Sequence, residues 1–426
     1  MRTSVMPPEN QRSPLDSNRW IMEKRELKKQ LSLKRLGAEH TDQFNQLLRY
    51  VFQVTNEELV KSGYEDGELV RSKRPILERA DTFGWFKGDE LVALVCIYPC
   101  NVNIHGSIWP MGGLTGVGTY PEYSGLGLAR DLILLALNDM REKGQWISYL
   151  SPYSIPFYRR HGWEIFSDCI GFSVKDTQLP RPQEVPGIVE RHKVDHPDVL
   201  GVYDRFARQA HGAMKRGQNE WEEYWRWENE DERTAAVYYN ADNFPTGFVI
   251  YWIEEDIFHV KEMVYLDQEA RRGLWNFISA HHSMVDAVKG NIFNNEPLAF
   301  YLEDSQITET ITPYFMARVV DVREFLVRFP FVGFDEPICF HVADSFAAWN
   351  NGTFSVTESA NGRNVVVAES IGKEVWLDIR TLTSMFMGYR SASFFARLER
   401  LQADAGTVKL LERVIPSRRP YFSDDF

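Results

Sequence analysis

Cysteine is scarce. Cys96, Cys100, Cys169 and Cys339 are the four in 426 residues. None forms a CxxC pair, and no His/Cys cluster has zinc-ligand spacing, so no metal is expected and a reduced, cytoplasmic setting is. Long apolar runs are also missing. A membrane helix needs about 20 such residues, and the longest candidate, Leu91 to Tyr98, reads as a buried strand. The N-terminus lacks the apolar core of a signal peptide. Residues 1–25 are polar and carry Pro7, Pro8 and Pro14, the mark of a loose extension, with the folded chain beginning near Met22. Positive charge is short: 48 Lys and Arg against 60 Asp and Glu leave a net charge of −12. That argues against broad binding to nucleic acid or an anionic membrane and is compatible with cationic partners. Hydrophobic residues at 44% and charged ones at 25% exclude a disordered or fibrous chain. At about 150 residues per domain, the length suggests nearly three domains.

Periodicity divides the chain. A strand at Leu31 to Leu36 precedes an amphipathic helix from about His40, with Phe44, Leu47, Leu48 and Val51 on one face. A helix over Asn56 to Ser62 follows. Thr82 to Phe86 and Glu90 to Asn103 read as a hairpin around Lys87-Gly88-Asp89. A strand from Ile108 to Thr119, a Gly-rich turn at Ser124 to Gly127, and a helix from Leu128 to Lys143 come next, the last ended by Gly144. Trp146 to Leu150 is a strand and Ser154 to His161 a short helix. Pro180, Pro182, Pro186 and Gly187 mark a linker. The order then repeats: a strand at Ile188 to His192, a helix from Pro197 to about Gln209, strands at Ala235 to Tyr239, Gly247 to Ile253 and Ile257 to Leu266, and a helix from about Arg272 to Val288. An internal duplication is the natural reading. From about Val319 the character changes. Phe340 to Asn350 reads as a strand or helix edge, Gly352 to Ser359 and Val365 to Ser370 as strands, and Leu377 to Met387 and Phe394 to Ala405 as helices.

The chemistry-bearing stretch is Gly113 to Arg130, in which a strand ends in Val117-Gly118-Thr119 and a short loop opens a helix at Gly125-Leu126-Gly127-Leu128-Ala129. Free N–H groups and the helix dipole at such a terminus can hold a phosphate, and glycine lets it approach the backbone. A Gly turn before a helix is as often only a turn. The spacing is not GxGxxG, which excludes the dinucleotide-binding fingerprint.

In its setting, behind a helix pair and a hairpin, this loop resembles motif A of the GNAT N-acetyltransferases, [Gln/Arg]-x-x-Gly-x-[Gly/Ala]. Ser124-Gly125-Leu126-Gly127-Leu128-Ala129 matches at Gly127 and Ala129 and departs at Ser124, which removes one cation from the phosphate. Tyr158-Arg159-Arg160-His161-Gly162-Trp163 resembles the family's YxxxGF element. Two such units followed by a sterol-carrier-like domain, with the terminal Phe422-Ser423-Asp424-Asp425-Phe426, are similar to the enhanced intracellular survival (Eis) family. The resemblance implies an α/β (α+β) protein: an extension over 1–25, a GNAT domain over 26–180, a degenerate GNAT-like domain over 181–318 and a sterol-carrier-protein-like α+β domain over 319–426. It implies acetyl-CoA as co-substrate, bound through Val117, Gly118, Thr119, Gly125, Leu126, Gly127, Leu128, Ala129, Arg130, Tyr153 and Ser154. Tyr158 becomes the general acid and the terminal carboxylate of Phe426 the general base, with neighbouring Asp424 and Asp425 raising its basicity. It further implies a small cationic, aminoglycoside-like amine as substrate and a homo-hexamer.

Other readings stand beside this one. A tyrosine in a short aromatic helix is usually packing, and a terminal SDDF usually a frayed tail. Arg271-Arg272-Gly273-Leu274 copies the phosphate loop only superficially and is expected to bind no cofactor. Trp221 and Trp225 share a helix face that suits core or subunit packing, and Glu222, Glu223, Glu228, Glu230, Asp231 and Glu232 read as a solvated face. The functional alternatives are acetylation of protein lysines, a lipid or sterol carrier with vestigial GNAT units, and a structural hexameric scaffold. Acetyl-CoA binding separates the first from the last two.

Overall fold

The computed structural model describes residues 24–61, 77–226, 228, 230–293, 298–333, 336–357 and 363–426. The expected folded start at Met22, the end of the helix read to Ser62, and the tail of the strand read to Ser359 lie outside them. The first segment runs β1 (Leu31–Arg35), α1 (Thr41–Phe52), α2 (Asn56–Lys61), β2 (Asp81–Lys87), β3 (Glu90–Ile104), β4 (Ser107–Thr119), α3 (Leu128–Glu142), β5 (Ile147–Leu150), α4 (Ile155–Arg160), β6 (Glu164–Ile165) and β7 (Asp168–Lys175). The second runs β8 (Ile188–His192), α5 (Pro197–Ala207), α6 (Gln218–Trp225), β9 (Thr234–Tyr239), β10 (Pro245–Glu254), β11 (Ile257–Tyr265), α7 (Gln268–Ser279), β12 (Ala287–Ile292), β13 (Thr308–Pro313) and β14 (Met316–Val319). The third runs α8 (Val322–Arg328), β15 (Ile338–Ala343), β16 (Gly352–Thr357), β17 (Val365–Val367), β18 (Lys373–Asp378), α9 (Ile379–Phe386), α10 (Ala392–Arg397), β19 (Leu401–Gln402) and α11 (Ala405–Val414).

Two compact units contain these elements. The described residues up to 58, from 77 to 98 and from 114 to 136 make one; 59–61, 99–113 and the described residues from 137 on make the other. In the first, β1 pairs antiparallel with β2, and β2 with β3 through a turn at Gly88, whose φ is +62°. Phe44, Leu47 and Leu48 of α1 bury against Phe86, Leu91, Leu94 and Cys96, so the apolar helix face read from the sequence meets the apolar strand run.

In the second unit, β4 pairs parallel with β5 at Gly113↔Tyr149, and β14 pairs antiparallel with both β5 and β6. Strand β7 pairs with β12 and β13, in a sheet ordered β13-β7-β12-β11-β10-β9-β8. Each GNAT-like sheet thus takes one strand from the other's stretch of chain. Short β5 and β6 have apolar faces that β14 completes, with Met316, Ala317 and Val319 fully buried. The third sheet is ordered β17-β16-β15-β18-β19.

Several expectations change. The helix read over Arg272 to Val288 begins at Gln268, because the Asp267 carboxylate caps the Ala270 N–H at 2.7 Å. It stops at Ser279, and Val288 instead enters β12, buried between β11 and β7. The helix read from Leu377 begins after Asp378, which caps Thr381, while Lys373 to Asp378 pairs with β15. The stretch read as one helix over Phe394 to Ala405 is α10 and β19, broken at Glu399 with φ +56°. Helix α11, capped by Asp404, has no counterpart in the sequence reading. The acidic stretch is not all solvated: Glu223 is buried against Arg226, and Glu228 pairs with Arg233 and Lys261. Trp227 and Asn229 lie outside the described residues.

Candidate active site

In the first unit, β4 delivers the chain through Val117-Gly118-Thr119 to the loop before α3. At Gly118 a Cβ would stand 2.7 Å from a methyl of buried Leu47, so a side chain there would force Leu47 to shift. Thr119 Oγ1 is buried without a hydrogen-bond partner among the described residues. A turn at Pro121–Tyr123 follows, then Gly125 and Gly127 with φ of +77° and +75°. Leu126 and Leu128 are buried and Gly125 and Gly127 exposed, so the leucines anchor the loop and the glycines present its backbone. The Asp131 N–H bonds to Gly127 O at 3.1 Å. The N–H groups of Gly125, Leu126, Gly127, Leu128 and Ala129 have no acceptor among the described residues. Consecutive free donors at the start of a 15-residue helix form an anion cradle. Together with the orphaned Thr119 hydroxyl, they fit a pyrophosphate group.

The degraded copy behaves differently. At α7 the Asp267 carboxylate occupies the Ala270 N–H, placing a negative charge where a phosphate would sit. A Cβ at Gly273 would overlap the Tyr238 ring, so this glycine serves helix–sheet packing.

The second unit holds Tyr158. Helix α4 starts from Ser154 with Pro156 in its first turn and ends with Arg159 and Arg160, which suit the negative end of the dipole. Tyr158 is 7% exposed. Its ring meets Phe157 and Trp163 edge-on at 5.1 and 6.3 Å. Burial pushes its phenol up to about 12. Arg159 grips Glu164 at 2.7 Å, and Arg400 holds the other carboxylate oxygen at 2.9 Å. The turn after α4 depends on Gly162, whose φ is +90°. A Cβ there would overlap the Arg318 guanidinium. Arg318 is fully buried, donates to His161 O and pairs with Asp344. Tyr153 is 85% exposed beside this helix.

Residues 421–426 are in the same unit. Phe422 packs against Tyr149, Phe166 and Phe315, with centroids 5.3, 5.9 and 4.5 Å away. The Phe426 ring lies against β4, where a Cβ on Gly113 would come within 2.8 Å of it, and meets Phe315 at 5.4 Å. Gly113 pairs with Tyr149 on the strand that leads into α4. The Tyr149 hydroxyl and Trp163 indole N–H are buried without partners among the described residues. Asp424 is bound to Arg216. It is fully buried, with Oδ1 2.6 Å from Arg216 Nε. One guanidinium faces two carboxylates here: Glu262, gripped through both nitrogens, is held below its ordinary range, while burial raises Asp424 to about 6.

Of the residues singled out from the sequence, Val117, Gly118, Thr119 and Gly125 to Arg130 stand together in the first unit, and Tyr153, Ser154, Tyr158 and Phe426 in the second. Sequence reasoning missed Arg216, Glu262 and Arg318. An arginine inside an apolar stretch, as in Phe315-Met316-Ala317-Arg318-Val319-Val320, was the available signal. Among the described residues no His, Cys, Asp or Glu side chains gather as a metal site, and no helix is long and apolar enough to cross a membrane.

Comparison with known proteins agrees with this architecture. Residues 32–166 and 212–319 match two models of the acetyltransferase (GNAT) domain, and residues 322–423 match the sterol carrier protein domain. An "Uncharacterized N-acetyltransferase" of Streptomyces griseus is 22% identical over 401 residues, covering 86% of this chain and 94% of that protein. A probable N-acyltransferase from Enterococcus faecalis superposes with a TM-score of 0.84 at 28% identity, over 93% of this chain and 99% of that one. Eis1 from Mycobacterium abscessus shares the fold, with a TM-score of 0.76 at 18% identity over 93% of this chain and all of that one (100%).

Proposed function

The chain is a GNAT-family N-acetyltransferase, and from that premise we propose that it moves the acetyl group of acetyl-CoA to a primary amine of a small cationic, aminoglycoside-like molecule, in the manner of the Eis enzymes. The observation that carries the reading is the row of unpaired N–H groups from Gly125 to Ala129, with the orphaned Thr119 hydroxyl on the strand before it. The row suits the pyrophosphate. The contrast with the Asp267-capped copy supports a stoichiometry of one acetyl-CoA to each chain.

Attack requires a neutral amine, so a base must take its proton as the C–N bond forms. The Phe426 α-carboxylate fills that role, directly or through one water. The backbone N–H groups at Val117 to Thr119 polarise the thioester carbonyl. As the C–S bond breaks, Tyr158 donates to the leaving sulfur. A phenol at about 12 is a weaker acid than a thiol of about 8.5. Tyr158 therefore keeps its proton and stabilises the thiolate by a charge-assisted hydrogen bond; as product leaves, the sulfur takes a proton from solvent and the Phe426 carboxyl gives the amine's proton back to it. The homo-hexamer and the cytoplasmic setting belong to the same reading. Sedimentation equilibrium showing only a 49.5 kDa species would remove the hexamer.

A short C-terminal tag tests the reading, because it converts the terminal carboxylate to an amide that cannot act as a base. Deleting Phe426 alone retracts the carboxylate by about 3.3–3.6 Å. Both changes are expected to reduce turnover strongly and leave acetyl-CoA affinity intact. Full activity with the tag shown intact by mass spectrometry refutes the role of Phe426, and failure of acetyl-CoA to bind at all refutes the function.

A further inference from the structure

The tail that ends in Phe426 is tied to a fully buried ionic centre two residues earlier. Arg216 donates to Glu262 through Nη1 and Nη2 at 2.9 and 3.1 Å, to Asp424 through Nε at 2.6 Å and to Ser423 Oγ at 3.0 Å. The rings of Tyr203 and Tyr224 lie 3.8 Å from its guanidinium carbon. The tail answers residue by residue. Tyr421 OH donates to Glu262 at 2.6 Å, the Ser423 hydroxyl donates to the same carboxylate, and the Asp424 carbonyl accepts from Tyr314 OH at 2.8 Å. Tyr203 OH donates to Asp424 Oδ2 at 3.3 Å.

Three buried charges are a poor way to build stability, since well-packed apolar groups of the same volume do as well or better. What this centre supplies is direction: each of its donors and acceptors admits one placement of the tail. With Asp424 fixed, the Phe426 carboxylate is confined to about 7 Å of extended chain, and the ring in its slot against Gly113 restricts it further. We propose that Arg216 and Glu262, on the degenerate GNAT-like segment, are positioning residues that clamp residues 421–424 and so place the Phe426 carboxylate for proton transfer. This rests on the reading of Phe426 as general base. It also gives the second GNAT-like segment a task that needs no cofactor.

Asp424→Ala is the test, because it removes the charged contact between the tail and Arg216 and leaves the Arg216–Glu262 pair in place. Ser423→Ala replaces it if that variant does not fold. Two measurements are made on the full chain: the rate at which carboxypeptidase A releases Phe426, and turnover with acetyl-CoA affinity measured separately. The expected result is release at least about tenfold faster and turnover lowered by roughly 10- to 100-fold, the cost of a misplaced reacting group, at unchanged acetyl-CoA affinity. Asp424→Asn, whose amide oxygen can still accept from Arg216, should fall between the two in both measurements. A purely structural role would not couple release of the last residue to turnover. Release at the wild-type rate overturns the clamp. Faster release with undiminished turnover overturns the clamp, and undiminished turnover on deleting Phe426 as well shows that residue 426 is not the base, so the underlying reading fails. Loss of turnover on deleting Phe426, with none in Asp424→Ala, leaves that reading standing and overturns the clamp.

Discussion

Replacing Gly162 with alanine probes the support of the Tyr158 helix with one methyl group. Two costs follow from the geometry. A φ of +90° is unfavourable for any L-residue with a Cβ, by about 1–2 kcal/mol. The new Cβ would also occupy the position of the Arg318 guanidinium, which is fully buried and paired with Asp344. Moving that guanidinium leaves the Asp344 carboxylate and the His161 carbonyl short of a buried donor. Breaking a buried pair from one side costs about 3–5 kcal/mol. The sum, about 4–7 kcal/mol, is comparable with the whole stability of a domain. Calorimetry should show the main transition lowered by at least about 10 °C, with loss of turnover, since α4 ends at this turn. The assay is a double-mutant cycle. In an Arg318→Met, Asp344→Asn background the guanidinium and its partner charge are gone, and Gly162→Ala should cost only the backbone share. Equal costs in the two backgrounds, or a Gly162→Ala protein as stable as the parent, would refute the reasoning.

Tyr158→Phe should lower turnover by roughly 10²–10⁴-fold with cofactor affinity and fold retained; activity within a few-fold of wild type would reduce Tyr158 to packing. Because its phenol lies near 12, loss of this acid belongs to alkaline pH, and a falling limb of kcat below pH 10 that vanishes in Tyr158→Phe would contradict its burial. Calorimetric titration should give one acetyl-CoA per chain and none in a variant with a bulky residue at Gly127; two per chain would contradict the Asp267-capped reading of α7. His105 and His211 stack at 3.6 Å, their Nε2 atoms against Phe386 O and Met387 O, and burial lowers His105 to about 4. A depressed histidine adds stability above its unfolded value that disappears as pH falls from about 6.5 toward 4, here about 3 kcal/mol. The acid loss should therefore be smaller in His105→Gln, and equal losses would refute the assignment.

The sequence alone determined what is local or periodic. Phe44, Leu47 and Leu48 announced the buried face of α1, Lys87-Gly88-Asp89 the first hairpin, and Gly125 to Ala129 the exposed backbone before α3, because turn chemistry and helix period act over a few residues. The duplication and the third domain were likewise legible from the order of elements and the shift in character near Val319. Only the tertiary structure decided the long-range pairings. Strands β7 and β14 exchange between sheets, and in both cases the partner lies more than a hundred residues away, Ile170 with Ile292 and Met316 with Leu150. No local pattern reports such a pairing. Val288 became strand for the same reason, and α11 has no local signature because the stop of α10, at Glu399 with positive φ, and the cap of α11 at Asp404 both lie within what looks like one helical run. The buried charges are the sharpest case. Arg216, Glu262 and Asp424 are widely separated in the chain and unremarkable singly, and they become a centre only when folding removes them from water, where each must find an opposite charge or a hydrogen bond.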